Sequence, residues 1–166
     1  MKGIARQLPR VPKYESIWDP ETVLTFLRKL STARALNLLQ LSVKTVTLIM
    51  LVTGQRPQIL QHLTLDNMQQ TKNLITFSIA QNLKHSRGNS PATVIKLKAH
   101  PDKRLCVVHY VAHYIHRTEK LRTDNQLFIS TTKPHQKATT NTMSRWVKLA
   151  LQKSGVDTTV FAPGST

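Results

Sequence analysis

Apolar residues along this chain recur at two different periods, and the change of period marks its elements. "WDPETVLTFLRKL" opens with a capping residue, Asp19, then Pro20 at the first helical position and Glu21 at the positive end. Val23, Leu24, Leu27 and Leu30 follow at helical spacing, so a helix is predicted. A second helix, apolar on most faces and therefore central and buried, runs from about Ser42 through Val52 and is stopped by Gly54. Pro57 opens a short third helix, "PQILQHL". The period then switches to two. "NLITFSIAQ" sets Ile75, Phe77 and Ile79 against Thr76, Ser78 and Ala80, while "ATVIKLKA" sets Ile95 and Leu97 against Val94, Lys96 and Lys98. The intervening "NLKHSRGNSP" carries turn residues, so the two strands form a β-hairpin with a basic tip.

Helical spacing returns in "LCVVHYVAHYIHRTEKL", where Leu105, Val108, Ala112 and Ile115 stand in register. "QLFIS" is a short buried segment. "TTNTMSRWVKLALQKSGV" makes a last helix, capped by Thr139 or Thr140, with Met143, Trp146, Val147, Ala150 and Leu151 inward and Gly155 as its stop. The opening residues 1–17 hold two prolines and four basic residues without apolar periodicity, and read as an extended basic arm or linker. Residues 18–166 are long enough for one domain with a real core and too short for two.

Charge changes the picture. There are 24 Lys and Arg against 8 Asp and Glu, a formal net charge of +16 distributed along the chain rather than held in a tail. Between Asn67 and Pro101 no acidic residue occurs, while Lys72, Lys84, Arg87, Lys96 and Lys98 all do. Such an imbalance points to a polyanionic partner, and to nucleic acid ahead of a merely solubilising surface. An anionic membrane is disfavoured because no long basic amphipathic helix is evident, and the longest apolar run, "LIMLV", falls far below the roughly 20 residues of a membrane span. The single cysteine, Cys106, forms no internal disulfide and fits a reducing, intracellular compartment, which for a DNA-binding protein implies the nucleus.

Candidate chemistry centres on Arg56, in the tight connection between the buried helix and the next one. Its backbone is rigid and its head is free to face a cleft. The alternative is a structural arginine capping the carbonyls at the end of the helix that finishes near Val52. Cys106, His109, His113 and His116 share a helix at spacings that allow a metal, but no further ligand is marked elsewhere, so packed or hydrogen-bonded histidines are preferred and neither metal nor cofactor is expected. Trp146 belongs with the core stripe rather than a stacking platform; Arg145 and Lys148, off that stripe, suit phosphate. Gly-rich nucleotide loops, a Gly-x-Ser-x-Gly elbow and a two-metal carboxylate cluster are all missing from the sequence.

A helix ending in Thr-Gly-x-Arg, then a hairpin with a lysine at its tip, then helices leading to a Thr- and Ser-containing turn resembles the catalytic domain of tyrosine recombinases, the phage integrase superfamily. The blocks "LVTGQRPQILQHLTLDNM", "CVVHYVAHYIHRTEKLR", "LFIS" followed by "KPH", and "SRWVKLALQKSGVDTTVFAPGST" are most similar to recombinases of eukaryotic mobile elements of the DIRS and Crypton kind. The resemblance covers the chain from about Trp18 to Thr166. It implies an α+β, mainly α fold: a helical catalytic core with a small antiparallel sheet, truncated at its C-terminus. It also implies duplex DNA as partner, a possible homo-oligomer on that DNA, and chemistry without metal or cofactor.

In that family two arginines clamp the scissile phosphate, a hairpin lysine protonates the leaving 5'-hydroxyl, a histidine moves protons, and a tyrosine attacks to give a 3'-phosphotyrosyl link. Guanidinium forks suit the charge that gathers on the phosphate in the transition state. By resemblance Arg56 is the first arginine and Lys84 the hairpin lysine, with Arg87 a neighbouring candidate; His85, Lys96, Lys98, Arg145 and Lys148 complete the expected DNA contacts. The chain departs from the pattern in four places. Ile59 stands where many members carry a glutamate, Gly164 where the histidine belongs, the chain ends one residue before the second arginine, and Tyr14, Tyr110 and Tyr114 all precede the box that the nucleophile should follow. Loss of an acid/base residue costs about 10²- to 10⁴-fold in rate, and loss of the nucleophile removes the covalent route. The expectation is a DNA-binding fragment that does not recombine DNA. The competing expectations are a non-catalytic nucleic-acid-binding protein using the same surface, and an interaction module whose exposed apolar face pairs with a partner.

Overall fold

The computed structural model describes residues 19–80 and 93–156. Among them are five α-helices, two 3₁₀ turns and one three-stranded antiparallel sheet. Helix α1, Pro20–Lys29, is capped as its sequence demands: the Asp19 carboxylate accepts from the Glu21 amide at 3.0 Å, and Val23 and Leu27 enter the core. A 3₁₀ turn at Ala33–Ala35 leads into α2, Leu38–Thr53.

Helix α2 is the axis of the molecule. It starts four residues earlier than its apolar run suggests because Asn37 and Gln40 form a reciprocal capping box, with bonds of 2.8 and 3.0 Å. Every residue from Leu41 to Ile49 is buried, so the helix is enclosed on all sides, packed against α4 (Val107–Thr118) and α5 (Thr140–Lys153). Enclosure takes polar groups in with it: Ser42, Lys44, Thr45 and Thr47 lie in the interior. Gly54, at φ +71°, ends the helix in the left-handed conformation that only glycine adopts without strain, and its amide closes on the Met50 carbonyl at 2.8 Å.

Helix α3 is shorter than the expected seven residues. It covers Pro57–Leu60, after which the chain turns and is stapled by Asn67, whose side chain receives the Thr64 amide and reaches the His62 carbonyl. The sheet runs β1 (Met68–Gln70), β2 (Leu74–Ile79), β3 (Thr93–Lys98), in that spatial order. Its hairpin register, Phe77 opposite Ile95 and Ile75 opposite Leu97, is what the alternation dictates. Ile75, Phe77, Ile79, Ile95 and Leu97 form the buried face, and Thr76, Ser78, Val94, Lys96 and Lys98 form the other. Strand β1 is an addition to the expected hairpin, since its pairing with β2 places Met68 opposite Phe77.

After a 3₁₀ turn at Lys103–Leu105, α4 is capped by the Cys106 thiol, which accepts from the His109 amide. The inward stripe of α4 differs from the one read from Leu105, Val108, Ala112 and Ile115. Val107, Val108, Tyr110, Val111, Tyr114 and Thr118 are buried, and Ala112 and Ile115 sit half-exposed. The large tyrosine rings outweigh the smaller aliphatic positions in choosing the face. "QLFIS" is buried as expected, and its backbone pairs on both sides: Leu127 donates to Leu63, and the Phe128 carbonyl accepts from Ala138. Phe128 meets Tyr114 at a tilt and Trp146 edge-on, at centroid distances of 5.1 and 6.4 Å, closing the core over α5. Thr139 caps α5, and Met143, Trp146, Val147, Ala150 and Leu151 face inward.

Candidate nucleic-acid interface

Arg56 stands on the three-residue connection between α2 and α3. The chain leaves α2 through Gly54, and Arg56 itself, at φ −90° and ψ 160°, is the residue that precedes α3, its carbonyl accepting from the Ile59 amide at 3.0 Å. Buried Pro57 fixes the next step. The backbone under Arg56 is thus held from both sides while its side chain is exposed.

An arginine capping the end of α2 would bond its last carbonyls. Two carbonyls near that end are served otherwise. The Gly54 amide takes the Met50 carbonyl, and the Thr53 hydroxyl takes that of Ile49 at 2.6 Å. Among the described residues, the Arg56 guanidinium makes no hydrogen bond and no ion pair. Ile59, in place of a carboxylate, is half-buried against the core and contributes packing rather than a second-hand brace for the guanidinium.

Beyond α3, Gln61 receives a hydrogen bond from the Thr140 hydroxyl at 3.0 Å, tying this connection to the first turn of α5. A cleft of ≈ 320 Å³ opens beside that contact, lined by Gln61, His62, Gln126, Lys137, Ala138 and Thr139. Arg145 and Lys148 are exposed on α5, one turn apart; the Arg145 guanidinium leans on the Thr142 hydroxyl at 3.3 Å. The fold therefore places Arg56, Arg145 and Lys148 on elements that pack against each other.

Lys96 and Lys98 project from the exposed face of the sheet, opposite Thr76 and Leu74 in the register. Lys84, His85 and Arg87 lie between the strands, outside the described residues, as do Gly164 and the rest of the final stretch. The flanking strands end at Ile79 and begin at Thr93.

Two of the three tyrosines are core residues. Tyr110 and Tyr114 are 1% and 0% exposed. Tyr114 accepts from the Ile129 amide at 3.1 Å, and burial pushes its phenol above the usual tyrosine range. Cys106 is likewise engaged, its thiol receiving the amides of His100 and His109, and among the described residues no three His, Cys, Asp or Glu side chains converge on a metal position.

Sequence reasoning passed over Lys137, His62 and Gln61, whose cleft depends on a contact between segments some 79 residues apart. The run "KPHQK" was the available signal. It also passed over Lys44, the lone charge inside the apolar run of α2, which the fold buries completely.

No family model matches the sequence, and no curated protein matches it. Among solved structures, the crystal structure of the XerH site-specific recombinase bound to its difH substrate, a pre-cleavage complex, aligns with this chain at a TM-score of 0.61 and 16% identity, over 90% of this chain and 38% of that one. The chain spans well under half the length of that recombinase. The likeness is one of fold: a mainly helical α+β core of recombinase type with a small antiparallel sheet.

Proposed function

We propose that this chain is a DNA-binding portion of a tyrosine recombinase catalytic domain, allied to those of eukaryotic mobile elements, and that it grips the phosphate backbone of duplex DNA without cutting it. The observation that carries the reading is the exposed, unpartnered guanidinium of Arg56 on a connection braced by Gly54 and Pro57. A cation held this way meets an incoming phosphate without first breaking a protein contact, and the guanidinium fork matches two phosphate oxygens. Arg145 and Lys148 extend the same surface through the junction of α3 with α5. Lys96 and Lys98 on the sheet, with Lys84, His85 and Arg87 of the hairpin tip, supply the remaining cations.

The burial of two tyrosines supports the reading without cleavage. Tyr110 and Tyr114 are locked in the core, so no described tyrosine can form a phosphotyrosyl bond.

Fluorescence anisotropy with a labelled duplex, repeated from 50 to 200 mM salt, tests the binding. Each phosphate neutralised adds about 0.9 to the slope of log K against log salt. Arg56→Ala is expected to lower that slope by about 0.9 and to weaken binding by about 1 to 3 kcal/mol, leaving the melting temperature unchanged. A salt-independent affinity, or an Arg56→Ala variant that binds normally and melts early, would falsify the assignment. A nicked suicide duplex run on a denaturing gel tests the chemistry: a covalent adduct would contradict the absence of cleavage.

A further inference from the structure

Lys137 stands where an exposed cation meets a cavity. Its backbone is fixed by an antiparallel bridge to Ile129: the Ala138 amide donates to the Phe128 carbonyl at 2.8 Å, and the Ser130 amide to the Gln136 carbonyl at 2.7 Å. Its side chain is exposed, and among the described residues its ammonium has neither a hydrogen bond nor an ion pair. The cleft of ≈ 320 Å³ that it lines has Gln61, His62, Gln126, Ala138 and Thr139 as its other walls.

The fold uses only part of the hydrogen-bonding capacity around this cleft. Gln126, 9% exposed, is spent on the wall itself, its amide nitrogen donating to the carbonyls of Ala138 and Phe128 at 2.8 and 3.4 Å. Gln61 is spent only on one side. Its carboxamide oxygen receives the Thr140 hydroxyl at 3.0 Å, while its nitrogen, a donor of two N–H groups, has no partner among the described residues. The half-buried His62 ring likewise makes no hydrogen bond there. Thr139 caps α5 and brings the positive end of that helix to the same wall. None of the lining residues is acidic, and the carboxylates nearest to them in sequence, Asp66 and Asp124, are turned to the Asn125 side chain and the Gln126 amide. The ligand that such a rim suits is a negatively charged acceptor.

We propose that this cleft takes a backbone phosphate of duplex DNA, with Lys137 as its cation and Gln61 and His62 as further donors. The proposal rests on the reading of the chain as one that binds duplex DNA, and not on the part given to Arg56. Arg56 precedes α3 and Gln61 follows it. The four residues between them rise about 6 Å, close to two steps of about 3.4 Å along one DNA strand, so Arg56 and the cleft can serve different phosphates of the same strand.

Fluorescence anisotropy of the full chain on a labelled duplex, from about 50 to 200 mM salt, reads the effect. Lys137→Ala is expected to lower the slope of log K against log salt by about 0.9 and to weaken binding about tenfold at the low-salt end, with no change in melting temperature. Lys137→Arg is expected to restore both. Lys133→Ala, which removes an equal charge from an exposed position of the same loop outside the cleft, is expected to leave the slope as it is. Proton–nitrogen NMR locates the contact: during titration with a short duplex the His62 ring is expected to shift saturably, with exposed His100, outside this cleft, as the reference. The cleft is overturned by a wild-type slope in Lys137→Ala, by an equal loss in Lys133→Ala, or by a His62 ring that stays unmoved when the duplex saturates the protein. A slope that falls in Lys137→Ala and not in Arg56→Ala would uphold the cleft and take Arg56 out of the interface, and the opposite pattern would remove the cleft alone. A wild-type chain that binds no duplex sinks both readings.

Discussion

Replacing Lys44 with methionine should stabilise this protein, although it removes a hydrogen bond. Lys44 is 0% exposed in the middle of α2. Its ammonium donates to the Tyr110 hydroxyl at 2.9 Å and lies 4.3 Å from the centre of that ring, with no carboxylate in ion-pair range. Loss of water pushes its pKa from 10.5 down to about 8, with Asp102 opposing the shift and Arg104 adding to it. The sign follows from proton counts. Between pH 8 and 10.5 the unfolded chain holds the proton and the folded one releases it, so stability rises across that window and the full cost is present below it. At 1.36 kcal/mol per pH unit the penalty at pH 7 is about 3 kcal/mol. Methionine keeps the length and the apolar stem, and leaves the Tyr110 hydroxyl without its donor at a cost of about 1 kcal/mol. The net expectation is a gain of about 2 kcal/mol at pH 7 that shrinks as the pH passes 8 and reverses at about pH 9.5, read from urea melts of both proteins. Comparing the two at each pH cancels every other titration. A variant that is destabilised at pH 7, or a difference that stays constant from pH 7 to pH 10.5, would refute the reasoning.

Two further outcomes are expected. Tyr114→Phe removes the acceptor of the buried Ile129 amide, and should cost about 1 to 3 kcal/mol in urea or thermal melts; a loss below a few tenths would mean that water replaces the phenol. The double variant Lys96→Ala with Lys98→Ala should lower the salt slope of DNA binding by up to about 1.8 without moving the melting temperature, and an unchanged slope would take the sheet face out of the interface.

Where structure was written locally, the sequence could be read. Asp19, Gly54 and Thr139 mark helix ends through single side chains or a single φ, and the hairpin register follows from strict alternation of Ile75, Phe77 and Ile79 with polar neighbours. The Asn37–Gln40 capping box was equally local, but the apolar run beginning near Ser42 drew attention from it. Strand β1 has no such signature: three residues, Met68–Gln70, become a strand only because β2 offers an edge. The face of α4 misleads because tyrosine carries both a polar tip and a large apolar ring. Tyr110 finds Lys44 and Tyr114 finds Ile129, so both rings go inward and His113 and His116 are left to the rim. In the candidate site, Arg56 was visible from the Gly-x-Arg-Pro connection, whereas the cleft joining Gln61 to Thr140 exists only through tertiary contact.

The fate of the acidic residues explains why so much positive charge is free. Asp19 caps α1, Asp124 accepts the Gln126 amide, and Asp66 accepts from the Asn125 side chain. Among the described residues Asp102 alone pairs with cations, bonding Arg28 at 3.0 Å and approaching Arg104 at 3.8 Å while it caps the turn at Lys103. Asp19, Asp102 and Asp124 are thus engaged with nearby backbone amides and Asp66 with a side chain, and Arg28 and Arg104 are the cations in ion pairs among the described residues. Arginines that serve the fold do so on carbonyls instead, Arg117 on Leu36 and Arg122 on Gln126 and Leu127. Among the described residues, Arg56, Lys96, Lys98, Arg145 and Lys148 have neither a carboxylate nor a carbonyl as partner. Their potential adds up at the surface without internal compensation, which is the condition under which a polyanion binds with a steep dependence on salt. A surface built only for solubility would interleave both signs and show a shallow one.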